Sequence, residues 1–560
     1  MNFRLYSIAK AWTRFAILIS VACSLSLSAQ TIDNSPQPSP GTLLIGPVDP
    51  DAGRMATIEY LGGYIIAIPE SPGSESGDHR VVKAWDFSNL TNPVSVAPIN
   101  PSDNGGDFGV TRGPFLSHGS IRRDNEVYIG GYPFDAVRLN ADGSLEHARW
   151  SGQSAPNLVD RNNQPLNVTA QWWTKGGMMR PWALLDSWSY NTNAPNETRL
   201  SLGNRLLAEW NVAQDSGVTG FGNFIGNLLI YSSDQRNTGV AVYDASDIYF
   251  DAPTNTWKPR LLDTLNTPLD EGGIGGYWSA ISGHYIVFAR RSRTSVNPNF
   301  FAGIQVVDFS DPTNLRLQCS VPLHEPNSNR HWTLSSSPMY LGFKDEYAFT
   351  DKYKVNLETC DVELILDITQ GQTGDLCYNN PPCPARAIDT SQYSRLIGNL
   401  WFTGGYPTVA DTDGMSVWVN ESAPDTRAPY IAYHIPRPNQ TNYPVDVPLG
   451  FSIPETLRSQ TVVVTATADP GEAETLTLTE VGGDKVNIDY VISHTGMLTV
   501  EPLDDLKPNT TYEVVFTSGI LDAAGNAMQP YSFRFSTGNV VTPVEGPQIS
   551  QVSVTPSRTV

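Results

Sequence analysis

Two distant stretches of this chain spell the same local structure. Residues 81–99 read VVKAWDFSNLTNPVSVAPI and residues 301–323 read FAGIQVVDFSDPTNLRLQCSVPL; each runs from an apolar strand into Asp-Phe-Ser, through an Asn/Asp/Pro/Thr turn, into a second alternating strand. A partial third copy, GVAVYDASD, occupies 239–247. A short strand introduced by a Gly/Asn/Asp turn also recurs: YLGGYIIAI (60–68), DNEVYIGGY (124–132), RPWALLDSW (180–188), IGNLLIYSS (225–233), SGHYIVFAR (282–290), KDEYAFTDK (344–352) and IGNLWFTGG (397–405). The third is the weakest of the seven, and the spacing is roughly 45–65 residues, slightly longer than a four-stranded propeller repeat.

Repetition of this kind limits the fold to architectures in which identical units solve one packing problem. The strands are rich in Tyr, Val, Ile, Leu and Phe, the punctuation is Gly, Asn, Asp and Pro, and helical periodicity is nearly absent over 45–430. A four-stranded unit cannot bury both of its faces alone, so such units stack around an axis and each covers the next. The expectation is an all-β fold with a seven-bladed β-propeller over 45–426. Within the motif, the short side chains of Asp308 and Ser310 suit acceptance of turn N–H groups and Pro312 fixes the backbone of the turn; Asp86, Ser88 and Pro93 fill comparable positions. With these residues, VVDFSDPTN and AWDFSNLTNP resemble the LVIVD type of bacterial propeller repeat. That resemblance implies a secreted or surface protein and no assigned activity.

Beyond DTRAPYIAY the texture changes. Strands are expected at VVVTATA (462–468), TLTLTEV (475–481), KVNIDYVI (485–492), YEVVF (512–516) and YSFRFST (531–537), a spacing that fits an Ig-like sandwich. The stretch VDVPLGFSIPETL, with Leu506, Tyr512, the Gly519-Ile520-Leu521-Asp522 corner, Gly525-Asn526 and Phe533/Phe535, resembles the bacterial Ig-like domain of surface-layer proteins, the SbsA type, over 427–538. The resemblance implies a spacer without catalytic machinery. Residues 539–560 are expected to be a linker and the first strand of a further Ig-like domain of the IPT/TIG type, either cut short, the preferred reading, or a disordered tail.

Arg4, Lys10 and Arg14 precede the apolar run FAILISVACSLSLSA and a small-residue exit near Ala29, the layout of a secretory signal peptide over 1–29, with 30–44 a linker. A lipoprotein reading of Cys23 is weakened by Ser20-Val21-Ala22, which lacks the usual Leu. No later stretch is long and apolar enough to span a bilayer, so no transmembrane segment is expected in the mature chain. A formal net charge of −21 disfavours nucleic acid and anionic membranes as partners. Cys319, Cys360, Cys377 and Cys383 then remain, an even number for an oxidising compartment. Two disulfides are expected. Cys377–Cys383 would close a proline-stiffened loop and Cys319–Cys360 would clip neighbouring strands, although sequence leaves three pairings open.

Chemistry is only hinted at. His118, His284 and His331-Trp332 sit near strand starts, where propeller loops line one face, but a histidine there is more often structural. Arg290, Arg291 and Arg293 form a basic cluster suited to a carboxylated or sulfated sugar, against the plainer reading of a solvated hairpin. Trp172, Trp173, Trp278 and Trp332 could stack on sugars or simply fill the wedge between sheets. Asp411-Thr412-Asp413-Gly414 opens like a calcium loop but lacks the third carboxylate and distal Glu. No cofactor is expected, calcium apart, and no catalytic residue is assigned. The leading expectation is a secreted or cell-surface binding or structural protein, its propeller presenting a recognition face to a glycan or surface protein on Ig-like spacers. The alternatives are an extracellular polysaccharide-acting enzyme with its site at one propeller mouth, around His118, Arg290, Arg291 and His331, and a passive stalk.

Overall fold

In the computed structural model, residues 32–48, 55–69, 82–90, 92–96, 99, 121–128, 135–149, 182–186, 198–202, 205–218, 220–233, 239–266, 278–290, 303–322, 342–350, 353–365, 395–404 and 415–539 are described. The strands up to residue 419 form successive antiparallel sets in chain order. After β1 (Leu43–Val48) come β2–β5 (Met55–Leu61, Tyr64–Pro69, Lys83–Asp86, Val94–Ser95) and β6–β9 (Ile121–Arg123, Glu126–Tyr128, Asp135–Leu139, Leu145–Arg149). β10–β12 (Trp182–Asp186, Thr198–Leu202, Arg205–Trp210) and β13–β16 (Gly220–Ile225, Leu228–Ser233, Val240–Asp251, Thr256–Leu265) share one sheet through a β12–β16 contact. The series continues with β17–β20 (Trp278–Ser282, Tyr285–Arg290, Gly303–Asp308, Arg316–Pro322) and β21–β24 (Gly342–Lys344, Tyr347–Thr350, Tyr353–Asn356, Val362–Leu364). It ends with β25–β27 (Arg395–Ile397, Leu400–Gly404, Met415–Val419), whose fourth place is taken by β1, paired to β27 with Leu43 opposite Trp418. Strands from the two ends of the array thus complete one sheet. The fold is all-β, a propeller-type array followed by a sandwich.

The recurring sequence now has a physical account. The second strand of a set alternates its side chains between two neighbouring sets, so both faces are buried and the strand reads as continuously apolar. Ile65 and Ala67 of β3 join the core shared with β25–β27, whereas Ile66 between them joins the core shared with β7 and β8. Leu400 and Phe402 of β26 likewise face β2–β5 while Trp401 faces Phe349 and Leu396. In β18, Val287 packs with Val306, Phe343 and Ala348, and Ile286 and Phe288 pack the other way. In six of the sets, the quoted repeat is the tight turn between the first and second strands followed by the second strand; in the third, 180–188 covers β10.

The Asp-x-Ser motif sits where the third strand ends at Asp86 and Asp308, and at an irregularity within β15 at Asp244. Asp86, Asp244 and Asp308 each accept the backbone N–H two residues on, at Ser88, Ser246 and Ser310, with N···O separations of 2.8, 2.9 and 2.7 Å. The carboxylate closes the turn from its own side chain. Phe87 and Phe309, between the Asp and the Ser, are fully buried and meet Phe402 and Tyr433 edge-on at 5.1 Å in both cases.

The C-terminal sandwich pairs β28 (Tyr433–Ile435), β29 (Leu449–Ser452), β32 (Met497–Pro502) and β31 (Ile488–Ser493) against β30 (Leu476–Glu480), β33 (Thr511–Phe516) and β34 (Tyr531–Ser536). One expected strand is absent: VVVTATA folds as a turn. Thr467 Oγ1 accepts the Val464 N–H and the Thr467 and Ala468 N–H groups return to the Val464 carbonyl, so the threonines satisfy the backbone locally. Val462 and Val464 still enter the core.

The sandwich is not a unit set apart from the array, and the spacer expectation is corrected here. β31 pairs with β6, placing Ile492 opposite Arg122, so one eight-stranded sheet runs through both. A single apolar cluster contains Phe224, Ile281 and Phe288 of the array and Leu449, Phe451 and Leu498 of the sandwich. Cys319 of β20 and Cys360, in the turn after β23, form a disulfide that joins two neighbouring sets. Cys377 and Cys383 lie outside the described residues.

Candidate functional site

Six described turns between first and second strands face the sandwich. In each of them the first turn residue has positive φ and is Gly62, Asp124, Gly226, Gly283, Asp345 or Gly398. That choice leaves a narrow backbone corner that a second domain can approach. At Gly226 the approach is closest: a Cβ on Gly450 of β29 would lie 2.2 Å from the Gly226 nitrogen. The Asp124 N–H donates to Tyr490 Oη (2.8 Å) and its carbonyl accepts from Ser459 Oγ (2.6 Å). The Gly283 N–H donates to Ser452 Oγ (2.8 Å) and the Asp345 N–H to the Pro454 carbonyl (2.9 Å). Gln460 approaches the Gly62 turn and Ala524 the Gly398 turn.

Behind these turns, first strands supply ionisable side chains to the junction. Glu59 (β2), Arg122 (β6) and Arg395 (β25) are buried and meet the partly buried His494, which sits in the β31–β32 hairpin turn of the sandwich. Glu59 pairs with Arg395 Nη2, with His494 Nδ1 at 2.8 Å and with Arg122 Nε at 3.7 Å. Burial alone would raise the Glu59 carboxyl, yet Arg395, His494 and Arg122 hold it down to about 2. Burial, with Arg395 beside it, depresses the His494 imidazole, which stays neutral at pH 7 and donates Nδ1–H to the ionised Glu59. Arg122 Nη1 and Arg395 Nη1 donate to the Leu457 and His494 carbonyls (2.6 and 2.5 Å), so both guanidinium groups also hold the sandwich backbone.

A second cluster lies alongside. Lys344 of β21 places Nζ 3.0 Å from Asp425 Oδ2 and 2.7 Å from the Gly398 carbonyl. Arg427 bridges Asp345 and Glu421 at 2.8 and 2.9 Å. Asp425, Glu455 and Asp522 are all buried and bring carboxylate oxygens within 4.8 Å of one another. Asp522 Oδ1 closes a turn by accepting the Gly525 and Asn526 N–H groups. A small cavity lined by Phe343, Arg395, Glu455, Thr456, His494 and Thr495 separates the two clusters.

This junction was not foreseen. Its residues come from distant positions, and only the tendency of charged side chains to interrupt apolar first strands, as Glu59 does between Ile58 and Tyr60, could have pointed to it. Of the expected site residues, His118, Trp172, Trp173, Arg291, Arg293, His331 and Trp332 lie outside the described residues. Arg290 is the last residue of β18, and its side chain is likewise outside the described part. His284 is described. It belongs to a sandwich-facing turn, its ring 4.1 Å from that of Tyr285 and 6.2 Å from that of Tyr433, a packing position.

Residues 425–537 match the bacterial Ig-like domain family. The Ig-like domain therefore begins at Asp425 of the acidic cluster and ends with β34. No curated protein matches the chain. Among solved structures, the N-terminal part of the bacterial S-layer protein SbsC is similar at 18% identity over 20% of this chain and 24% of that one, with a TM-score of 0.15. BamB from Moraxella catarrhalis is similar at 10% identity over 68% of this chain and 97% of that one, with a TM-score of 0.25. The chain spans about a quarter of that S-layer chain.

Proposed function

We propose that this is a secreted or cell-surface protein of recognition or structural role, a seven-bladed propeller of LVIVD-type blades closed at one end by its Ig-like domain. The observation that carries this reading is the engagement of six first-to-second-strand turns by one domain. In an antiparallel meander those turns share one edge, so the starts of the first strands and the ends of the second strands lie at the other. The described strand ends Arg149, Arg290 and Pro322 lie at that other edge, to which the recognition face is assigned. The three Asp-x-Ser turns and the pairing of β1 with β27 support the repeat type and the closure. The Ig-like domain clamps the blades and leaves the opposite loops to meet a glycan or a surface protein.

The test is a glycan-array screen of the whole chain, since removing the Ig-like domain would expose its share of the core, followed by product analysis on each glycan retained. Binding without turnover, weakened tenfold or more by joint replacement of Arg291 and Arg293 with alanine, is the expected result. Turnover would make the protein an enzyme, and silence would leave the passive stalk as the better account.

A further inference from the structure

The acidic cluster at the junction is short of positive charge. Among the described residues one ammonium, that of Lys344, pairs with this cluster, at Asp425, which leaves two negative charges in a buried site if all three carboxylates are ionised. Arg427 is already committed to Asp345 and Glu421. Glu455 is 7% exposed, and among the described residues its buried Oε1 has no hydrogen-bond partner and no ion pair reaches its carboxylate. A buried carboxylate without partners is costly unless it is neutralised. From the convergence of these three carboxylates and the unpartnered Glu455 oxygen, we propose that Asp425, Glu455 and Asp522 form a site for a divalent cation of the calcium class.

The donors suit such an ion. They are hard oxygens only, with no His or Cys, and calcium accepts mixed carboxylate and water coordination at irregular angles, which magnesium tolerates poorly. The backbone around the site is already arranged. Asn526 Nδ2 donates to the Asp425 carbonyl (3.2 Å), and Asn34, from the N-terminal segment, exchanges hydrogen bonds with the Asp425 backbone (2.7 and 2.8 Å). A bound cation would draw together the start of the Ig-like domain, the segment around Glu455 and the Asp522 turn beside Lys344 and Asp345. The acidic loop at 411–414 lies outside the described residues.

The experiment uses the full chain, stripped with EDTA and titrated with CaCl2 and separately with MgCl2 by calorimetry and thermal denaturation. One saturable calcium site is expected, in the range of about 10⁻⁴–10⁻³ M typical of extracellular modules, with weaker magnesium binding. At a hundredfold excess over Kd the melting temperature should rise by about 2–3 °C and fall back with EDTA. Glu455→Gln should lose tenfold or more in calcium affinity, whereas Glu513→Gln, on an exposed ion pair, should lose none. Should the Glu455 variant fail to fold, Tb3+ luminescence lifetimes in H2O and D2O on the unaltered chain decide the matter: few coordinated waters support the buried site, and a nearly full hydration shell sinks it. Absence of a chelator-reversible calcium effect overturns the proposal, as does unchanged affinity in Glu455→Gln.

Discussion

At the residue scale, the clearest energetic commitments are buried polar groups that serve the joint between the array and the Ig-like domain. Glu59 answers two guanidinium groups and an imidazole at once. Glu59→Gln keeps the shape but leaves two buried cations without their anion, and a loss of about 3–5 kcal/mol in unfolding free energy is expected. Urea denaturation would measure it, and a loss below about 1 kcal/mol would show that solvent reaches the cluster. His434 gives a pH-dependent case. Nδ1 lies 2.6 Å from the Pro436 carbonyl and Nε2 2.8 Å from Tyr531 Oη, so the neutral ring donates at one nitrogen and accepts at the other. Burial, aided by Arg437, pushes its imidazole from 6.5 down to about 4. As pH falls below about 6.5 the unfolded chain takes up a proton that the folded chain refuses. Stability from this group is therefore complete above pH 6.5 and declines toward pH 4, by on the order of 3 kcal/mol. His434→Phe retains the stack on Phe451 and removes the titration, so its stability should fall less steeply between pH 7 and pH 4.5. Parallel slopes for the two proteins would refute the assignment.

At the element scale, the tight turns decide how closely domains approach. Gly450 faces backbone of the Gly226 turn, so Gly450→Ala puts a methyl group where no flexible side chain can yield. Separation of β29 from the turn and a loss of roughly 1–3 kcal/mol are expected, readable as a lowered melting temperature. A substitution at Gly471, with nothing within 4 Å, provides the control for turn strain alone. The Cys319–Cys360 bridge closes 41 residues of sequence between neighbouring sets. Its replacement by two serines should lower stability by about 2–4 kcal/mol, and dithiothreitol should bring the parent protein to the same midpoint. The turn at 462–468 shows why strand reading from sequence failed there. Its alternating valines and threonines satisfy a strand pattern, but threonine hydroxyls in contact with the local backbone favour a turn when no partner strand is at hand.

At the scale of the whole molecule, the array and the Ig-like domain share a sheet and a core, so they should unfold together. Calorimetry is expected to show one main transition. A chain ending before Asp425 would expose Phe224, Ile281, Phe288 and their neighbours and should aggregate or bind a hydrophobic dye. Two well-separated transitions, or a soluble and well-folded fragment ending before Asp425, would restore the picture of an independent spacer.

The fold class was written in local sequence. Two-faced strands such as YIIAI and LWF, two-residue turns with Gly or Asp first, and Asp-x-Ser corners each specify their own geometry within a few residues, and repetition leaves stacking as the way to bury both faces. The junction was not written there. Glu59, Arg122, Arg395 and His494 come from four separate elements, and Asp425, Glu455 and Asp522 from three loops of the Ig-like domain. Apart from the place of a residue such as Glu59 between apolar neighbours of a first strand, nothing local distinguishes these from an ordinary surface charge. Only the docking of one domain onto six turns removes them from water, and desolvation turns a scattered set of ionisable residues into a site.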